Sequence, residues 1–114
     1  MQNKTVEEIA ELLTDYLIKY FGDKLEDFEI FNLQDEPYKT FSIRFQAYKY
    51  FIILLNCDRG RFGCSIQFGE TNYIPLENSQ KWIEKADLEV FFKEFKEQIE
   101  IRIPDKFLQA KGWK

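Results

Sequence analysis

Between residues 41 and 68 the chain alternates apolar and polar side chains with a period of two, and this constrains the fold more than any other feature. Phe41, Ile43 and Phe45 alternate with Ser42, Arg44 and Gln46; Phe62, Cys64, Ile66 and Phe68 alternate with Gly63, Ser65 and Gln67. Successive side chains of a strand point to opposite faces, so each segment buries one face. Between them, Tyr50 to Cys57 is nearly all apolar, as expected of a central strand covered at least in part on both faces. Asp58-Arg59-Gly60-Arg61 has hairpin chemistry, with Gly60 free to take positive φ. A turn there sets Cys57 opposite Phe62 and Leu55 opposite Cys64. One face then collects Phe41, Ile43, Phe45, Phe51, Ile53, Leu55, Cys57, Phe62, Cys64, Ile66 and Phe68. The other holds Ser42, Arg44, Tyr50, Ile52, Leu54, Asn56, Ser65 and Gln67.

A helix precedes this sheet. Thr5 and Glu8 make a T-x-x-E capping box, and Val6, Ile9, Leu13, Tyr16, Leu17 and Tyr20 recur at three- and four-residue steps. With Gly22 as a left-handed stop, the helix spans 6–21. Phe28 to Gln34 is β-rich, but its apolar parity shifts between Ile30 and Phe31, which predicts a bulged or edge strand. Asp35-Glu36-Pro37-Tyr38 is a turn. Residues 69–86 form a long connection with Pro75 and a short helical turn around Ser79 to Glu84. Asp87 caps a second helix carrying Leu88, Phe91, Phe92, Phe95 and Ile99, and Pro104 interrupts it. A last turn runs through Phe107 and Leu108 to Gly112, with Trp113 docked.

Residues 1–114 thus read as a single α+β domain: an N-terminal helix, a four-stranded antiparallel meander, and a C-terminal helix with a short terminal turn. Both helices on the apolar face would give two layers; the C-terminal helix over Tyr50, Ile52 and Leu54 would give three. The pattern leaves that choice open. With 45% hydrophobic and 18% aromatic residues the chain has material for one core, and no apolar run approaches membrane-spanning length. No signal-peptide pattern opens it, so a cytoplasmic location is expected.

Histidine is absent, and with it the commonest general base and metal ligand. No nucleophile elbow, phosphate-cradling loop or dinucleotide fingerprint is present. Cys57 and Cys64 lack metal-site spacing and read as small packing residues. No enzyme activity, cofactor or metal is therefore expected. Residues 1–36 carry ten acids and three bases, and residues 37–68 one acid and five bases. That uneven charge lacks the broad basic footprint of a nucleic-acid binder.

What remains is surface. Glu7, Glu8, Glu11 and Asp15 crowd one side of the first helix, with Ile18 near the middle of that acidic face. An apolar knob ringed by acids is the form of a charge-steered contact; a solvated helix face is the plainer reading. A second candidate surface is the strip of Tyr50, Ile52 and Leu54 beside Arg44, if no helix covers it.

In size, acidity and its helix–meander–helix order the chain resembles the small immunity proteins of bacterial toxin–immunity systems. The resemblance implies a non-enzymatic domain that binds and neutralises a cognate, basic toxin domain through Glu7, Glu8, Glu11, Asp15 and Ile18. The alternative is a secretion-chaperone-like or adaptor protein that holds another chain through the sheet strip and is most naturally a homodimer. A third is a small carboxylate-based enzyme or ligand-binding domain. The expected partner is another protein, with neither nucleic acid nor membrane involved, and both a monomer and a homodimer stay open.

Overall fold

The computed structural model describes residues 4–68, 72–76, 81–82 and 86–114, apart from the side chains of Phe68 and Lys81. Helix α1 (Val6–Phe21) begins at the expected capping box: Thr5 Oγ1 accepts from the Glu8 N–H, and Glu8 Oε1 accepts from the Thr5 N–H. Those contacts, the Thr5 backbone N–H foremost, hold the Glu8 carboxyl below its ordinary range. Asp35, in the turn after the first strand, adds a tertiary cap by accepting from the Val6 N–H at 3.1 Å. Gly22 ends the helix at positive φ and opens a 3-10 turn, Gly22–Lys24.

The sheet is antiparallel and larger than the four expected strands. Its path runs β1 (Leu25–Gln34), β2 (Thr40–Ala47), β3 (Phe51–Asp58), β4 (Arg61–Phe68) and β5 (Asn72–Pro75). A two-residue segment, β6 (Lys81–Trp82), pairs with the start of β4, while β5 pairs with its end. The two described strands of the connection therefore both lie along the edge of β4. Pro75 fits there, because an edge strand need not donate from every residue. The helical turn expected around Ser79 to Glu84 lies mostly outside the described residues. Lys81–Trp82, its described pair, is strand.

Strand β1 is the edge strand that the parity shift foretold. It starts at Leu25 rather than Phe28 and carries irregularities between Glu26 and Glu29 and between Phe31 and Gln34. Asp27 and Asn32 take positive φ within those gaps, as short polar side chains tolerate. Bulges of this kind also blunt an exposed edge. The β3–β4 register has Cys57 opposite Phe62 and Leu55 opposite Cys64, with Arg59 and Gly60 at positive φ.

The helices settle on one face, giving two layers. Val6, Ile9, Leu13 and Leu17 of α1, with Leu88, Phe92, Phe95 and Ile99 of α2 (Leu88–Glu100), pack with Phe41, Ile43, Phe45, Ile53, Leu55 and Phe62 of the sheet in one core. Asp87 caps α2 by accepting from the Val90 N–H. Pro104 opens α3 (Asp105–Ala110), whose Leu108 joins the same core. Trp113 docks against Tyr48, with ring centroids 5.5 Å apart at 83°.

Tyr48 organises that corner. Tyr48 and Lys49 both take positive φ and close the β2–β3 hairpin, where the Tyr50 N–H donates to the Ala47 carbonyl. The Tyr48 N–H donates to the Lys24 carbonyl at 2.7 Å, and its hydroxyl donates to Glu100 Oε2 at 2.5 Å. Its ring is fully buried, edge-on to Phe21. Burial, then the Glu100 carboxylate, raises the phenol well above its usual pKa.

Phe92→Ala, at a fully buried site, should cost about 3–5 kcal/mol in chemical denaturation. Thr5→Ala should cost about 1 kcal/mol. Because the folded-state pKa of Tyr48 is raised, its contribution is complete below the unfolded value of about 10 and is lost as pH climbs through the folded value. Denaturation midpoints should therefore fall above about pH 10. Tyr48→Phe should lower stability at neutral pH and flatten that alkaline decline; an equally steep decline in the variant would refute the assignment.

Candidate functional site

All five side chains singled out on the first helix reach solvent. Glu7, Glu8, Glu11 and Asp15 are exposed, and Ile18 is 50% exposed. They are exposed because the opposite stripe, Val6 to Phe21, is the one that enters the core. Glu8 is committed to the capping box, so its carboxylate is already in use. Among the described residues no ion pair or hydrogen bond takes up the carboxylates of Glu7, Glu11 or Asp15. Thr14, between them, donates its hydroxyl back to the Ala10 carbonyl. Lys19, at the end of the helix, pairs with Glu89 of α2 at 3.4 Å.

The second surface does not form the continuous apolar strip that alternation suggested. Ile52 is 43% exposed, but Leu54 is only 8% exposed. Leu54 lies mid-sheet, between Arg44 on β2 and Ser65 on β4, where neighbouring side chains shut out water. Tyr50 belongs to the turn before β3 and packs against Phe51 and Phe107. Arg44 pairs with Glu29 at 3.1 Å and lies 4.7 Å above the Phe31 ring. Among the described residues no helix lies over Ile52 and Leu54, yet Arg44 and the polar residues break the face up.

Cys57 and Cys64 are both buried thiols. Burial, with a smaller push from Asp58, raises Cys57 to about 11. Burial alone carries Cys64 still further from its ordinary range. Neither has the electropositive, partly open setting that makes a reactive thiolate. Among the described residues no group of three or more Cys, Asp or Glu converges as a metal-ligand set.

Two clefts went unread in the sequence. One, of about 460 Å³, is lined by Glu97, Glu100, Ile101, Asp105, Leu108, Trp113 and Lys114. Its acids do not form an acid–base pair. Glu100 accepts from Tyr48, Asp105 is bridged by Lys114 at 2.6 Å, and Glu97 is exposed. Carboxyls tuned for proton transfer need burial or unrelieved like charge. The other cleft, of about 550 Å³, lies on the outer sheet face around Ser42, Asn56, Arg61 and Trp82. The hairpin at Arg59-Gly60-Arg61 was legible as a turn, but nothing in the sequence brings Trp82, far along the chain, to its side.

Fold and surface together define, among the described residues, a two-layer α+β domain with an acidic helix face on one side and a sheet face without a helix on the other. No helix among the described residues is long and apolar enough to cross a membrane. No protein-family model, curated protein or solved structure matches the chain.

A thiol-reactive dye at mildly alkaline pH should label the native protein orders of magnitude more slowly than the unfolded chain, in which both cysteines react. Fast stoichiometric labelling of the native state would mean that one thiol is activated.

Proposed function

We propose that this is a non-enzymatic protein-binding domain that captures a basic partner through the exposed face of α1. The reading rests on one observation: Glu7, Glu11 and Asp15 stand in solvent along one stripe of α1 that ends at the exposed Ile18, with no intramolecular cation spent on them among the described residues. A carboxylate already paired within its own chain would have to break that pair before meeting a partner; these three would not. Unpaired acids of one sign raise the local concentration of a basic surface and speed encounter. An apolar side chain at the end of that charged stripe supplies the contact that slows departure once it is desolvated. Neutralisation of a basic toxin domain, the role implied by the likeness to immunity proteins, is the specific form we favour, with the cytoplasm as its location. The adaptor alternative has less to stand on, because Leu54 is buried and leaves Tyr50 and Ile52 as the exposed part of its strip.

Immobilised wild-type protein should retain a stoichiometric basic partner from its host's lysate, and the Glu11→Lys/Asp15→Lys variant should not. With the purified partner, that variant should associate about tenfold more slowly at low salt, and the two rates should converge as salt rises. Ile18→Ala should instead act on dissociation, costing about 1–2 kcal/mol. Both variants alter solvent-exposed positions, so their stability should stay within about 0.5 kcal/mol of wild type. Equal capture and equal rates would remove the α1 face as the interface.

A further inference from the structure

The outer-face cleft lies where β2, β3, β4 and β6 meet, and strand register fixes what lines it. Thr40, Asp58, Arg61 and Trp82 form one cross-strand row; Ser42 and Asn56 occupy the next. Side chains two residues apart share a face, so these groups converge on one side of the sheet. Arg59, from the hairpin, completes the wall.

Each arginine lies over an aromatic ring. The Arg61 guanidinium is 4.4 Å above Trp82, and that of Arg59 is 4.8 Å above Tyr38. Trp82 is itself backed by Gly60, where a β-carbon would stand 3.6 Å from the indole. Stacking orients a guanidinium and leaves its N–H edge for an acceptor lying in its plane. Among the described residues no carboxylate pairs with Arg61. Asp58, the one acid among the described residues of the lining, accepts from Thr40 Oγ1 at 3.3 Å and stands 3.9 Å from Arg59 Nε. The Asn56 oxygen accepts from the Ser42 hydroxyl at 2.7 Å, so its amide nitrogen is the donor left over. Among the described residues the cleft thus presents donors in excess and a lining charge of +1 (Arg59 and Arg61 against Asp58). Its volume falls in the range of small-ligand sites.

We propose that this cleft binds the oxyanion of a small ligand, a phosphate or a carboxylate, with Arg61 as its forked partner, Asn56 as a second donor and Arg59 as a supporting cation. The site owes nothing to the α1 face and stands or falls apart from it.

The indole N–H signals of Trp82 and Trp113 test this in the ¹⁵N-labelled full chain, one at the cleft and one remote from it. Inorganic phosphate and succinate are titrated separately, with ionic strength held constant by chloride. At least one should move the Trp82 signal saturably, with a Kd on the order of 1 mM or tighter, and leave Trp113 in place. A response to phosphate alone assigns a phosphate ester, to succinate alone a carboxylate, and to both a general oxyanion site. Arg61→Ala should weaken binding about tenfold, and Arg61→Lys should recover only part of it, since it keeps the charge and loses the fork. Asp58→Asn, which removes the opposing charge, should tighten it several-fold. No saturable shift at Trp82 with either anion would overturn the proposal. So would a titration unchanged by Arg61→Ala, or one weakened by Asp58→Asn, with the dispersed spectrum reporting that each variant is folded.

Discussion

A single aromatic residue in a backbone conformation that suits it poorly holds the layers of this protein together. Positive φ at a residue with a β-carbon costs on the order of 1–3 kcal/mol, and Tyr48 adopts it beside Lys49, which does the same. The cost is offset by what that conformation places in the core: a fully buried ring against Phe21 and Trp113, a backbone N–H on Lys24, and a hydroxyl on Glu100. These partners come from the end of α1, the turn before β1, the end of α2 and the C-terminal tail. Once they share one hairpin, both helices must lie on the same side of the sheet.

That convergence also explains which parts of the fold were legible in the sequence. The capping box, the α1 stripe and the β3–β4 register are encoded within a few residues of where they act, and local patterning reveals them. The Tyr48-Lys49 turn has no Gly, Asn or Asp to announce it, because its conformation is enforced by distant contacts. Layer number was open for the same reason: it depends on Trp113 and Phe21 meeting Tyr48, which no periodicity displays. Strands β5 and β6, of four and two residues, are too short for alternation to register. They exist because the β4 edge offers unpaired backbone groups. The parity shift between Ile30 and Phe31 did signal trouble in β1, but the irregularities lie to either side of that pair, at Asp27 and Asn32.

Surface residues divide along the same line. Exposure of Glu7, Glu11, Asp15 and Ile18 follows from the angle between them and the buried stripe of a single helix, so sequence suffices. The fate of Leu54 does not, because it depends on cross-strand neighbours that register alone brings together. The outer cleft is further still from view. It needs Arg61 and Trp82 to face each other across a two-residue pairing, after a long connection whose apolar content says nothing of its path.

The uneven charge of the chain becomes, through this fold, a separation in space. The acids of α1 belong to the outside of the helix layer, whereas Arg59 and Arg61, two of the five bases in residues 37–68, border the opposite side of the sheet. In a two-layer domain those surfaces face away from each other, with the whole core between them. Cations and carboxylates that far apart, beyond a Debye length of about 8 Å at physiological salt, scarcely neutralise one another. Had the third layer formed, with α2 laid across Ile52 and Leu54, the outer face would have been covered and the basic hairpin drawn towards the acids of α2. The Tyr48 corner, by fixing both helices on one side, keeps the acidic surface of α1 and the donor-rich cleft on opposite sides of the core.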